Sequence, residues 1–302
     1  MPTSLNARGA LLMTLSMLAF VFNDGLMKTL LVDMSIYQAV FLRGIITIPF
    51  MAIIAWRTGA LIVKLKGRDK KLILGRVLTE VLATISFLTA LGHMPLANIT
   101  AILQALPLTV TMAAALFLNE PVGWRRWIAI LIGLCGVLVI IRPGLEGFSS
   151  YSLWALGAVV CVTFREIATR QLSKDVPSLP VALATAIAIC GFGAVNLPGV
   201  SWVPVSPALW VYLGGAGIAI IGGYLFSVMA VRAGDISFVS PFRYTAMIWA
   251  ITFGFLLFGD LPDLPTIIGT LIIVLAGLYS LYRDRTRDVF AYPSITTRPS
   301  AG

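Results

Sequence analysis

The chain is poor in charge: aspartate, glutamate, lysine and arginine make up 12% of its residues, against 59% that are hydrophobic. So few charged groups cannot cover the surface of a soluble domain of this size, so a soluble globular class is excluded. Histidine occurs once, as His93 at a turn, where a solvated side chain is expected and no second ligand type suggests a metal. The three cysteines, Cys135, Cys161 and Cys190, lie inside apolar runs and form no CxxC pair. Neither a disulfide framework nor a metal site is indicated, and they read as small packing residues. The glycine-rich LGGAGIAIIGGY at 213–224 follows no strand, and no Walker lysine motif occurs. No nucleotide, metal or other cofactor is therefore expected. In the same glycine-rich stretch, Gly215, Ala219 and Gly223 at four-residue spacing would let two membrane helices approach closely.

What the chain has in abundance is long apolar runs, with a mean hydropathy of +0.95. A bilayer-spanning helix needs roughly 20 mainly apolar residues. Ten such segments lie near 9–31, 35–56, 72–92, 95–118, 124–142, 151–170, 178–197, 207–231, 236–258 and 264–282. The expected fold is an all-α integral membrane protein of ten transmembrane helices. Its connections are short and carry turn signals, such as NEP at 119–121, RPGLEG at 142–147 and GDLPDLP at 259–265. No room remains for a globular catalytic domain, so the chain reads as something other than an enzyme. Trp56, Trp124 and Trp127 fall at span boundaries and read as interfacial anchors.

The formal net charge of +9 could suggest nucleic acid, but the bases follow membrane topology instead. One set of alternate loops and termini holds Arg8; Arg57, Lys64, Lys66, Arg68, Lys70 and Lys71; Arg125 and Arg126; Arg170 and Lys174; Arg232; and Arg283, Arg285, Arg287 and Arg298. The opposite set holds Arg142, so sixteen bases face one, and the positive-inside rule puts both termini in the cytoplasm. The first apolar run meets Asn23 and Asp24 where a signal peptide would present a small-residue cleavage site, so it is expected to be retained.

The run 97–140 overlays 237–280 at a constant shift of 140 residues without a gap, so that Glu120 falls on Asp260. A second match joins FNDGLMK at 22–28 to FREIATR at 164–170 through Phe-x-acid-x-x-x-base. Two halves of five segments each must cross the membrane in opposite senses, because five is odd. The expectation is two inverted five-helix repeats, 1–147 and 148–283, followed by a polar cytoplasmic tail, 284–302. Such halves offer two near-equivalent packings, one open to each side, and alternating access follows.

These features resemble the drug/metabolite transporter superfamily, and in particular its tandem EamA-domain carriers. The likeness rests on LNEP at 118–121, FGDL at 258–261, Gly133, Gly136, Gly269 and Gly277 in the last helix of each half, the paired acid-base element, and the arginine of VFLRGI. It covers about residues 9–283 and is most like the YddG-type exporters of aromatic amino acids. The resemblance implies an inner-membrane secondary carrier, with a cavity lined by both halves and the last helix of each half at the periphery. The substrate would be an amino acid or similar small metabolite; a nucleoside, vitamin or S-adenosylmethionine carrier is the alternative within the class, and an intramembrane enzyme or a channel is the remote alternative outside it. A monomer satisfies the pattern, and the lipid bilayer is the remaining partner. One departure is plain: the seventh segment, PVALATAIAICGFGAVNL, has no counterpart of Arg43.

Asp24, Lys28, Arg43, Glu80, Arg165, Glu166 and Arg243 sit inside predicted spans, where each costs about 2.5–3.5 kcal/mol unless paired or hydrated. Depth counting suggests an Asp24–Arg43–Lys28 cluster and a Glu80–Arg243 pair, while Arg165 and Glu166, adjacent and about 100° apart, each need a partner elsewhere. Asp24, Lys28, Arg165, Glu166 and Arg243 are read as structural or gating charges. Arg43 and Glu80 are the preferred substrate contacts, since a zwitterion presents a carboxylate and an ammonium, and Glu80 and Asp24 are candidates for a coupling proton. Phe87, Asn98, Gln104, Tyr224, Tyr244 and Trp249 are candidate cavity walls, with Pro107 as a helix hinge. Asn98-Ile-Thr is formally a glycosylation acceptor but falls within a predicted helix.

Overall fold

With no water in a bilayer core, every backbone polar group of a span must be satisfied internally, which restricts such runs to helices or closed barrels. Helices are what form here. The computed structural model describes residues 3–58, 66–173 and 176–291, and among these no strand occurs. The elements are α1 (Thr3–Asp33), α2 (Ile36–Arg57), α3 (Gly67–His93), α4 (Leu96–Leu103), α5 (Leu106–Phe117), α6 (Trp124–Ile141), α7 (Tyr151–Arg170), α8 (Ser178–Asn196), α9 (Pro207–Ala233), α10 (Ile236–Val239), α11 (Ala246–Phe258) and α12 (Leu264–Ala291). Ten stretches are long and apolar enough to cross a membrane: α4 and α5 together form one, and Ser240–Phe258 forms another. The last helix continues to Ala291, beyond the boundary expected at 283. Residues 292–302 of the expected tail, with Arg298, lie outside the described residues, as do Lys64 and Lys174.

The two halves repeat each other in local geometry, not only in hydropathy. The fourth span breaks at Gln104 and Ala105, because Pro107 has no N–H to give and its ring clashes with the carbonyl four residues earlier, that of Leu103. In the other half the chain passes through a 3-10 turn, Ser240–Thr245, at the positions 140 residues on. The amide of Gln104 donates to the main-chain carbonyl of its counterpart, Tyr244, at 3.4 Å. The helix-ending turns match as well. Asn119 (φ 54°) and Gly259 (φ 70°) take the same left-handed conformation, tolerated by Asn and free for Gly. The Glu120 N–H reaches the Ala114 carbonyl at 3.3 Å, and the Asp260 N–H reaches the Gly254 carbonyl at 3.0 Å.

Packing between the halves obeys one exchange rule. The first span lies along the eighth (α1 on α9) and the third along the sixth (α3 on α7); swapping the halves turns one pair into the other. Pairs that map onto themselves, α2 with α8 and α6 with α12, lie on the axis of exchange. The α6–α12 contact is backbone on backbone: a Cβ on Gly136 would stand 2.8 Å from the Gly269 carbonyl, and one on Gly269 would stand 2.6 Å from that of Gly136.

The main apolar core is off-centre. Of its fully buried members, Leu30, Leu91, Leu96, Ile99 and Leu213 lie toward the end of the bundle remote from the lysine- and arginine-rich loops, while Ile102, Leu108, Ile130 and Ile273 extend it inward. At the basic end only two small clusters form, Met13, Met17, Ala230 and Val239 in one, Ala113, Ala114 and Ile167 in the other. Among the described residues, buried apolar packing is thus more extensive toward the end remote from the basic loops.

Candidate functional site

From the basic end, a cavity of about 340 Å³ runs inward between α1, α2, α3, α7, α8 and α9. It lies in the range typical of small-molecule sites. Its lining reaches Leu179 and Ile54 near the basic end, while at the other end it stops at Val40, Leu88 and Ile189. From α3 it takes Arg76, Glu80, Ala83, Thr84, Phe87 and Leu88, a stripe at the spacing that keeps side chains on one helix face.

Two polar poles face this space. In the first, the Arg43 guanidinium donates to the Asn23 side-chain oxygen at 3.3 Å, and the Asn23 amide donates to the Asp24 carboxylate at 2.9 Å. Asn23 is almost completely buried and bridges base to acid in the one orientation that serves both. In the second, Nη1 of Arg165 donates to both oxygens of Glu80, at 3.0 and 2.8 Å, and Nη2 donates to Glu166 at 2.5 Å. This ion pair joins the two halves, α3 to α7.

Several expected partnerships are replaced. Lys28 does not join Asp24 and Arg43: its ammonium donates to the carbonyls of Leu91 and Met94 at the end of α3, and lies 5.2 Å from the Phe258 ring centre. A helix C-terminus leaves its last carbonyls unpaired and carries partial negative charge, so it takes a cation readily. Glu80 pairs with Arg165 instead of Arg243, which is exposed in the 3-10 turn. Arg165 and Glu166, expected to seek separate partners, also bond to each other, because two long side chains overcome the angle between their helix positions. Of the expected wall residues, Phe87 and Tyr224 line the cavity, with Tyr224 edge-on to Phe20 at 5.3 Å. Asn98, Gln104, Tyr244 and Trp249 do not line it. Gln104 and Tyr244 are buried at the break between the fourth and ninth spans, Trp249 packs against the core, and Asn98 sits in the first turn of α4. Pro107 stands at the helix break, behind Leu103 and Leu106 of the lining.

One lining residue has no place in the sequence reading. Arg76, in the third span, donates from Nε to the Thr169 hydroxyl at 2.9 Å and from Nη1 to the Thr185 hydroxyl at 2.7 Å. A base close to a span boundary resembles an interfacial anchor in sequence, and the only signal for it is its i, i+4 spacing from Glu80.

The ends of the bundle carry related contacts. At the end remote from the basic loops, Arg142 donates to Asp263, His93 stacks on Tyr151 at 3.9 Å, and the buried Gln38 exchanges two hydrogen bonds with the Val203 backbone, at 2.7 and 3.0 Å. At the basic end Arg170 reaches Glu120 at 3.3 Å, and the buried Asp69 accepts from the Ser173 N–H and hydroxyl. No group of histidine, cysteine and acidic side chains able to hold a metal occurs among the described residues.

Residues 7–142 and 149–282 each match the model of the EamA-like transporter family. The chain is 24% identical over 280 residues to the S-adenosylmethionine uptake transporter of Rickettsia conorii, covering 90% of this chain and 91% of that one. The match to the same-named protein of Rickettsia felis is 26% identical and spans 65% of that protein, just under two thirds of its length. The riboflavin transporter of Vibrio cholerae is 30% identical over 204 residues, 67% of this chain and 68% of that one. The pseudopaline exporter of Pseudomonas aeruginosa is 26% identical over 280 residues, 89% and 94% respectively. A solved crystal structure superposes with a TM-score of 0.64 at 16% identity, over 94% of this chain and 99% of that one, and so shares the fold.

Proposed function

Because the chain belongs to the EamA-like transporter family, within the drug/metabolite transporter superfamily, and is thus a multi-pass carrier and not an enzyme, we propose that its cargo is an amino acid with an aromatic or other hydrophobic side chain. It would be exported across the bacterial inner membrane by alternating access. Both termini would lie in the cytoplasm, a reading that the distribution of lysine and arginine supports. The cavity then opens to the cytoplasm.

The observation that carries this reading is the pair of polar poles, Arg43–Asn23–Asp24 and Glu80–Arg165, in a cavity whose remaining walls are mostly apolar, with Arg76 and a few threonines among them. A zwitterion has a charge of each sign to offer, and Phe87 and Tyr224 supply surface for an apolar side chain. Each pole ties α1 to α2 or α3 to α7, so a substrate that competes for these bonds biases how the helices pack. Lys28, on the carbonyls of α3, and the apolar core would hold the far side closed in this state. The breaks at Gln104–Ala105 and Ser240–Thr245 would be where the fourth and ninth spans bend.

A second reading is favoured by the relatives. Some carry the name of S-adenosylmethionine transporters, and that metabolite has an amino acid end on a larger body. Counterflow in proteoliposomes tests both. Saturable exchange of phenylalanine, tryptophan or methionine is expected, with Arg43→Gln and Glu80→Gln each losing about tenfold or more, the loss of one charge-assisted hydrogen bond. Exchange of S-adenosylmethionine without exchange of free amino acids would replace the first reading with the second.

A further inference from the structure

The three cavity arginines are not equivalent. Arg165 is shared between two carboxylates, Glu80 and Glu166, and Arg43 reaches Asp24 through Asn23. Arg76 lies one helical turn before Glu80 on the same face of α3, yet it bonds to neither acid. Both oxygens of Glu80 are already taken by Arg165.

What Arg76 does bond to fixes its orientation. The Thr169 hydroxyl gives its proton to the Arg165 carbonyl at 2.8 Å, and the Thr185 hydroxyl gives its proton to the Val181 carbonyl at 2.8 Å. Each hydroxyl is therefore purely an acceptor towards Arg76. One is on α7, the other on α8, and together they hold two nitrogens of the planar guanidinium, Nε and Nη1. The third nitrogen, Nη2, has no protein partner among the described residues and is not among the buried unpaired atoms. Its donors remain available in the cavity. Threonine hydroxyls satisfy two of its nitrogens but supply no counter-charge. A fork held rigid by neutral acceptors, with one edge open, is suited to an oxyanion.

We propose that Arg76 is the anion subsite of this cavity, binding a carboxylate of the transported solute through Nη2, and that the solute must therefore carry an anionic group. Thr169 and Thr185 are its positioning residues. The proposal rests on the cavity being the transport site, but it does not require that the solute be a free amino acid. Entry from the basic end brings the carboxylate first to Arg76, and the poles at Glu80–Arg165 and Asp24–Arg43 receive the remainder deeper in.

The test is counterflow by the full chain in proteoliposomes with matched probes: phenylalanine and phenylalaninamide, methionine and methioninamide, benzoate and benzamide. The unmodified protein is expected to exchange at least one carboxylate probe and to take its amide on the order of tenfold less well. Arg76→Gln should abolish that preference by losing the carboxylate probe while sparing the amide. Arg76→Lys, which keeps the charge but not the fork, should retain part of the preference. A strut that merely links α3 to α7 and α8 would depress both members of a pair alike, and that result overturns the proposal. So does an equal preference for acid and amide in the unmodified protein, or the absence of any saturable carboxylate exchange. Exchange of benzoate but of neither amino acid would keep the anion subsite and remove the amino acid reading.

Discussion

Arg165 shows how a single side chain decides which charges belong together. Counting residues along each helix yields depth and nothing about azimuth, so Glu80 was as free to meet Arg243 as Arg165 until the packing of α3 on α7 brought the latter within 2.8 Å. Lys28 teaches the same lesson: it shares a helix face with Asp24, yet the packing brings its ammonium to the carbonyls at the end of α3. Asp263 supports a prediction at this scale. Its partial burial would raise its pKa, but hydrogen bonds from Thr266 and Arg142 and the charge of Arg142 outweigh that and hold it below the ordinary carboxylate value. A depressed carboxylate adds stability that is present above the unfolded pKa and is lost as pH falls through the folded one. Thermal unfolding in detergent should therefore lose this contribution on acidification, and Asp263→Asn should flatten that part of the pH profile. The effect is small, about 0–1 kcal/mol, because the pair is partly exposed. An unchanged profile in the variant would remove Asp263 as its source.

Elements show the exchange most directly. Lys28 and Arg170 are the bases of the repeated Phe-x-acid-x-x-x-base element, and Asp260 and Glu120 are the matching acids of the two turns. At the end remote from the basic loops Lys28 is drawn into the C-terminus of α3. At the basic end Arg170 makes only a loose, half-exposed pair with Glu120. The two bases are therefore held differently at the two ends, an asymmetry that the proposed alternating access would use. Lys28→Ala should loosen the closed end. In a background without native cysteines, Phe87→Cys should then react about tenfold or more faster with an impermeant thiol reagent applied from that end, the shift that ~1.5–3 kcal/mol implies. Glu120→Gln should change that rate little. Equal effects from the two changes would mean that neither reports a closed gate.

For the whole molecule the repeat predicts sidedness. Single cysteines at Val122, beside the NEP turn, and at Leu261, in the turn before α12, should be labelled from opposite faces of intact cells, Val122 from the cytoplasm. Labelling of both from one face would contradict the inverted arrangement. The bundle's asymmetry, an apolar core at one end and a charged cavity at the other, belongs to a single conformation. Exchanging the packings of α1 on α9 and α3 on α7 would move the opening to the other end without altering any helix.

Ten membrane spans, their alternating direction and the repeat of 140 residues were legible in the linear chain, because the bilayer leaves the backbone no other solution and hydropathy records the spans directly. So was the presence of charges inside the spans, each of which needs a partner or water because burying it alone is costly. Which charge faces which was decided only in three dimensions. Asn23 as a bridge, Arg76 as an open fork, and the withdrawal of Tyr244 and Trp249 from the cavity depend on the rotation of each helix about its own axis, and that rotation is set by contacts between residues far apart in the chain.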